Sequence, residues 1–101
     1  LDVSHNKLVS RLPEDIVALE SLRILNLGYN DFTGTIPDLG GLKHLSVLNL
    51  HRNHFSGEVP SFLSKLTDLV DLRLGFNVLK GSLPLALGEL TKLEILLLDR
   101  A

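Results

Sequence analysis

The sequence predicts an α/β solenoid, in which a short strand and a return leg recur along the whole chain. Asparagines recur 24, 23 and 24 residues apart, and prolines and glycines follow the same period. A repeat array buries its apolar side chains against the next repeat, so its function has to be sought on a surface. The recurring residues are Asn6, Asn30, Asn53 and Asn77; Pro13, Pro37, Pro60 and Pro84; and Gly34, Gly57 and Gly81.

Leucines mark the strand of each repeat. The pattern Leu-x-x-Leu-x-Leu-x-x-Asn begins at Leu22, Leu45 and Leu69, and a partial copy begins at Leu93. This alternation indicates a strand whose leucines point inward and whose intervening residues point outward. Stacked copies predict a parallel sheet on the concave face, with strands about 4.8 Å apart. The full repeats are 22–44, 45–68 and 69–92, and the partial repeats are 1–21 and 93–101. Neither end resembles a polar cap, so we expect a segment of a longer protein.

An asparagine ends each strand at the point where the chain must turn. We call Asn6, Asn30, Asn53 and Asn77 the asparagine ladder. An amide side chain both donates and accepts, so it can satisfy the backbone groups of neighbouring turns, and we assign the ladder a structural role. A second apolar column follows the ladder at Leu8, Phe32, Phe55 and Leu79. Beyond it, glycine and proline predict a turn, and leucines three residues apart predict a short 3₁₀ or irregular return leg.

Charge and composition exclude several classes of partner. Ten Lys+Arg against twelve Asp+Glu give a net charge of −2, which is too balanced for a nucleic acid or an anionic membrane as the partner. No apolar run approaches the length of about 20 residues that a membrane span needs. The chain has no cysteine, but extracellular arrays often confine cysteines to their caps, so the compartment stays open on composition alone.

The outward strand residues do no core packing and are therefore free for recognition. The candidate binding residues on the concave face are His5, Asn26, Tyr29, Asn49, His51, Arg52, Asp71, Arg73, Phe76, Asp99 and Arg100. Among them, one column alternates aromatic residues with cations, and both kinds of residue are enriched in binding hot spots. The alternative is that Arg52 stacks on Tyr29 and Phe76 as a cation–π contact that only stabilises the surface.

Neither a metal site nor a catalytic site is predicted. His51 and His54 flank the turn at Asn53, so their rings should point in different directions, and no third ligand is placed nearby. The serines lack a positioned base within their own repeats. We therefore expect a segment that is not an enzyme and has no cofactor.

The stretches 30–37, 53–60 and 77–84 resemble the signature of the plant extracellular leucine-rich repeats, LxxLxxLxLxxNxLxGxIPxxLGxLxxL, and the resemblance covers the whole chain. It implies a right-handed coil from the ectodomain of a receptor-like kinase or receptor-like protein. Such a receptor is anchored at the plasma membrane, faces the apoplast, signals, and binds a peptide, small-molecule or protein ligand and a co-receptor.

Two alternatives remain within this resemblance. The first is a secreted inhibitor of a cell-wall-degrading polygalacturonase, and the second is a structural spacer. The first repeat also departs from the signature, because Ser10 stands where the later repeats have glycine. That departure leaves an intracellular repeat as a minor alternative.

Overall fold

Two parallel sheets run along the coil, and the repeats supply alternating strands to both. The computed structural model describes residues 1–80, 90 and 92–97, and of Ile95–Leu97 only the backbone. The strands are β1 (Val9–Arg11), β2 (Ile24–Asn26), β3 (Asp31–Thr35), β4 (Val47–Asn49), β5 (His54–Glu58), β6 (Asp71–Arg73), β7 (Val78–Lys80) and β8 (Ile95–Leu97). One four-stranded sheet has the order β2-β4-β6-β8, and the other has the order β1-β3-β5-β7. The predicted solenoid is confirmed.

The concave sheet is built from the leucine-rich strands. Leu25 is in register with Leu48, and Leu48 with Leu72, so equivalent inward leucines of successive repeats stack directly. All three side chains are fully buried. The sheet is extended by a parallel bridge between Asp2 and Asn26. Because inward leucines fill the interior, the residues between them face outward along the whole sheet.

The second sheet is formed by the segments for which the sequence predicts only a turn. Its strands β3 and β5 contain Gly34 and Gly57, with φ of 80° and 88°. A Cβ at Gly34 would lie 2.9 Å from Cγ of Arg11 on the neighbouring strand. The glycines therefore allow both a left-handed backbone and a close approach between strands, which a larger residue would prevent.

Replacing Ser10 with glycine is expected to stabilise the protein. Ser10 occupies the position of these glycines, and its φ is 74°. A residue with a Cβ costs about 1–2 kcal/mol in this region, so Ser10→Gly should raise the free energy of unfolding by about 1 kcal/mol in a urea titration. The matched change Gly34→Ala should lower it. A loss of stability in Ser10→Gly would contradict the assignment of strain to this position.

The return legs are short, as predicted. Two of them carry 3₁₀ helices, Glu14–Ala18 and Ser61–Lys65, and each helix follows a proline. Residues 36–46, all of them described, contain no helix, because the repeat 22–44 is one residue shorter there. It keeps the turn bond from the Leu42 N–H to the Leu39 oxygen (2.9 Å). No helix in the described part of the chain is long and apolar enough to cross a bilayer.

The core is a column of leucines and phenylalanines between the two sheets and the return legs. Phe55 and Phe32 stack with ring centroids 6.0 Å apart, and both are buried. Leu8 and Leu19 occupy equivalent core positions in the first coil but are 41% and 47% exposed.

Candidate functional site

Strands β2, β4 and β6 of the concave sheet each lead to a rung of the asparagine ladder, which fixes the backbone of the candidate site. Asn53 is buried, and its Nδ2 donates to the backbone oxygens of Leu27 (2.9 Å) and Leu50 (3.3 Å). Its Oδ1 accepts a hydrogen bond from the Phe32 N–H (3.1 Å). The rungs of the neighbouring repeats make equivalent bonds. At Asn30, Asn53 and Asn77 the ladder thus joins each repeat to the one before it and holds the turns in one conformation.

The residue before each rung has a left-handed backbone conformation. At His5, Tyr29, Arg52 and Phe76, φ is 56° or 57°. For a residue with a Cβ, this conformation costs about 1–2 kcal/mol. The coil imposes it at the same place in each of these repeats, and the sequence nevertheless places large side chains there. Strained positions of this kind cluster at functional sites, where the surrounding structure holds them in place.

These four side chains form one row across the strands, which we call the stacked row (His5, Tyr29, Arg52 and Phe76). The rings of His5 and Tyr29 are stacked, with centroids 4.3 Å apart and planes 12° apart. Cζ of Arg52 lies 5.5 Å from the Tyr29 ring centroid and 4.3 Å from that of Phe76. The cation–π arrangement that the sequence suggested is therefore present. The row continues to Arg100 in the sequence, which lies outside the described residues, as does Asp99.

Two of the candidate residues, Asn26 and Asn49, bond to the backbone of their own strands. Asn26 Oδ1 accepts from the Gly28 N–H (3.1 Å), and Asn49 Oδ1 accepts from the His51 N–H (2.9 Å). Asp2 makes the same bond to the Ser4 N–H (3.0 Å). This row of polar side chains was not predicted from the sequence. Its signal was a short acid or amide four residues before three of the four rungs, Asn6, Asn30 and Asn53.

Asp71 and Arg73 form an ion pair within one strand of the concave sheet. Arg73 Nε lies 2.9 Å from Asp71 Oδ1, and its Nη2 lies 3.1 Å from Oδ2. This hydrogen bonding raises the pKa of the Arg73 guanidinium. A similar effect acts at the start of the sheet, where the Ser4 hydroxyl donates to Asp2 and lowers the pKa of its carboxyl group. The fork of Arg73 is thus occupied by an acid of its own strand.

The histidines of the concave face are packed among aromatic rings. The ring of His51 is 5.8 Å from that of Tyr29 and meets that of Phe76 edge-on at 5.2 Å. His54 lies on the second sheet, 3.3 Å from Asp31. Within the described residues there is no cluster of three or more side chains able to hold a metal ion.

An apolar cavity of about 530 Å³ opens beside the first coil, but it does not form a ligand site. Its walls include Leu8, Leu12, Ile16 and Phe32, which belong to the stacked core columns. The cavity is therefore the uncovered side of the core, and it lies away from the stacked row. The arrangement on the concave face can bind a partner by contact, whereas the core supplies only the scaffold.

A coil of repeats with stacked inner leucines and two parallel sheets defines a solenoid of the repeat-protein class. The chain belongs to the leucine-rich repeat family, of the plant extracellular type. The family profile for the leucine rich repeat matches residues 21–42 and 44–66. No curated protein sequence matches the chain.

Several solved structures are similar to the chain. The ectodomain of the receptor kinase GASSHO1/SCHENGEN3 from Arabidopsis thaliana, in complex with CASPARIAN STRIP INTEGRITY FACTOR 2, is 38% identical with a TM-score of 0.95, over 99% of this chain and 12% of that one. The Arabidopsis receptor kinase HAESA, with the peptide hormone IDA and the co-receptor SERK1, is 38% identical with a TM-score of 0.82, over 89% and 15%.

A plant ice-binding protein is 34% identical with a TM-score of 0.95, over 99% of this chain and 33% of that one. The coil alone therefore does not define the ligand. The chain spans between 12% and 33% of the length of these three proteins.

Proposed function

We propose that this chain is a ligand-binding segment of a plant cell-surface receptor, a receptor-like kinase or receptor-like protein. It acts by non-covalent recognition on the concave face and has no enzymatic activity of its own. Its partner is a peptide, small-molecule or protein ligand, with a co-receptor as a second partner. The parent protein is anchored in the plasma membrane, and this segment faces the apoplast.

The stacked row is the observation that carries this proposal. Tyr29 is 42% exposed, and Arg52 beside it is also exposed. Aromatic and arginine side chains are enriched among the hot-spot residues of interfaces. A receptor kinase in complex with a peptide hormone is among the similar structures, which supports a ligand of that kind.

The competing interpretation is that the stacked row only stabilises the surface of a spacer. A triple variant, in which glycine replaces each of Tyr29, Arg52 and Phe76, distinguishes the two interpretations. Glycine is suitable because it accepts the left-handed conformation without strain. If the row binds the partner, the affinity should fall by more than about 100-fold. The change in unfolding free energy should be small, since lost stacking of about 0.5–1.5 kcal/mol per pair is offset by relief of backbone strain.

The partner is captured first by cross-linking in tissue that expresses the full-length protein, and its affinity for the complete ectodomain is then measured by calorimetry. The control replaces two exposed side chains of the second sheet, His54→Ala with Val78→Ala, and should leave the affinity within about threefold. Unchanged affinity in the triple variant would instead support a structural spacer.

A further inference from the structure

A groove on the outer side of the coil lies over the short return leg of the repeat 22–44. The legs before and after it carry 3₁₀ helices, Glu14–Ala18 and Ser61–Lys65, whereas residues 36–46 form no helix. The groove has a volume of about 740 Å³, and we call it the outer groove. Its residues come from both neighbouring helices and from the short leg between them. It is lined by Val17, Asp38, Gly40, Gly41, Lys43 and Lys65.

Of the two glycines in the short leg, Gly40 is required by packing and Gly41 is not. A Cβ at Gly40 would lie 3.0 Å from both Asp38 Oδ1 and Lys65 Cδ. A Cβ at Gly41 would meet no atom within 4 Å apart from its chain neighbours, and its φ is not left-handed. The equivalent positions of the neighbouring repeats are Ala18 and Lys65. The fold would therefore accept a side chain at Gly41, and glycine leaves that part of the outer groove open.

Two lysines and one acid line the outer groove. The side chains of Lys43 and Lys65 are exposed, and in the described part of the chain neither takes part in an ion pair or a hydrogen bond. The acid is Asp38, and its Oδ1 accepts a hydrogen bond from the Gly40 N–H (2.9 Å) of its own turn. Glu14 lines a smaller depression of about 280 Å³ beside the groove. The two ammonium groups are therefore available to a partner of opposite charge.

We propose that the outer groove is a second interaction surface and takes an acidic segment of a partner protein. An acidic side chain of that segment pairs with Lys43 and Lys65. An aliphatic side chain next to it occupies the space over Gly41 and contacts Val17, which is 37% exposed. Lysines without an acidic partner favour a segment of opposite charge and disfavour a basic one. The return legs lie on the other side of the coil from the concave sheet, so this partner does not compete with a ligand there.

The outer groove fits a protein segment better than an acidic polysaccharide. A polyanion is held by many cations along its length, and only two lysines line this groove. A polysaccharide would also make no use of an apolar contact at Val17. A peptide with an acid beside an aliphatic residue uses both the lysines and that contact, which is why we favour it.

Three end-blocked synthetic peptides test this proposal. The first has two glutamates followed by a leucine among alanines, the second has glutamines in place of the glutamates, and the third has alanine in place of the leucine. Binding to the complete ectodomain is followed by NMR through the backbone amides of Gly40, Gly41 and Lys43. The glutamate–leucine peptide should shift these signals and bind about threefold to tenfold more tightly than either of the others. Its advantage over the glutamine peptide should disappear at high salt, because exposed ion pairs are screened.

Gly41→Leu should weaken binding of the glutamate–leucine peptide by about tenfold or more, because its own side chain fills the space that the peptide leucine needs. The variant should still fold, since a Cβ there meets no other residue. Lys43→Gln with Lys65→Gln should remove the preference for glutamate and leave the preference for leucine. The matched control, Lys7→Gln with Lys80→Gln, changes two exposed lysines outside the groove and should leave both preferences unchanged.

Three results would overturn the proposal: equal binding of the glutamate and glutamine peptides, binding that Gly41→Leu leaves unchanged, or no binding of any of the three peptides. Tighter binding of polygalacturonate than of the glutamate–leucine peptide, lost when both lysines are replaced, would also overturn it and assign the lysines to an acidic polysaccharide. The triple glycine variant of the stacked row should bind the peptide normally. A failure at the outer groove therefore leaves the proposed function of the concave face untouched.

Discussion

Phe55→Ala should lower the free energy of unfolding by about 3–5 kcal/mol, the range for truncation of a buried phenylalanine. Phe55 has no exposed surface, and its ring lies parallel to that of Phe32 with 6.0 Å between centroids. Removing it leaves a cavity between two repeats, and both neighbours lose packing. In an array, each repeat is stabilised by contact with the next, so the loss is not confined to one coil.

Val78→Ala is the control for this prediction, because Val78 lies on the second sheet and is 55% exposed. Its truncation should therefore cost less than about 1 kcal/mol. Both variants are compared by urea denaturation followed by circular dichroism, with the slope of the transition checked for loss of cooperativity. Similar losses in the two variants would contradict the packing of Phe55 between two repeats.

The concave sheet could be predicted because its signal is a simple alternation. Leucines at every second position of each strand give the inward face, and a fixed period places equivalent strands side by side. The shortened return leg after Pro37 also followed from counting residues, since the repeat 22–44 lacks one there. Both inferences need only the backbone geometry of a strand and the period of the repeat.

The second sheet could not be predicted in the same way. Its strands are short, and Gly34 and Gly57 lie inside them with positive φ. Glycine is normally unfavourable within a strand, so the local sequence indicates a turn. These segments pair because the repeat period brings Gly34 opposite Phe55 and Gly57 opposite Leu79. This pairing comes from the stacking of repeats and not from local propensity.

The candidate site, like the fold, could be predicted only in part from the sequence. The alternation of aromatic residues and cations pointed to the stacked row, but the sequence did not show that the ring of His5 would stack on that of Tyr29. The sequence places Asn26, Asn49 and Tyr29 all at outward positions. It therefore could not show which of them would bond to the backbone and which would pack against a neighbouring side chain. The two asparagines bond to their own strands, whereas the side chain of Tyr29 packs against its neighbours in the row.

Asn53→Ala should lower the free energy of unfolding by about 2–3 kcal/mol, mostly because one buried N–H group loses its hydrogen-bond acceptor. The backbone oxygens that Asn53 bonds are shared with other rungs: that of Leu27 also accepts from Asn30 (3.1 Å), and that of Leu50 also accepts from Asn77 (2.8 Å). Both oxygens keep a donor when Asn53 is removed. The N–H of Phe32, which donates only to Asn53 among the described residues, would be left buried and unpaired, at a cost of about 1–3 kcal/mol.

Asn49→Ala is the control, because Asn49 is half-buried and its side chain bonds only the His51 N–H of its own repeat in the described structure. Its loss should cost about 1 kcal/mol or less, since water can replace that bond. Hydrogen exchange of the Phe32 amide provides a second readout, because that proton should exchange faster in Asn53→Ala and not in Asn49→Ala. Equal losses in the two variants would mean that the ladder stabilises each turn separately. A larger loss for Asn53→Ala, with faster exchange at Phe32, would mean that it joins one repeat to the next.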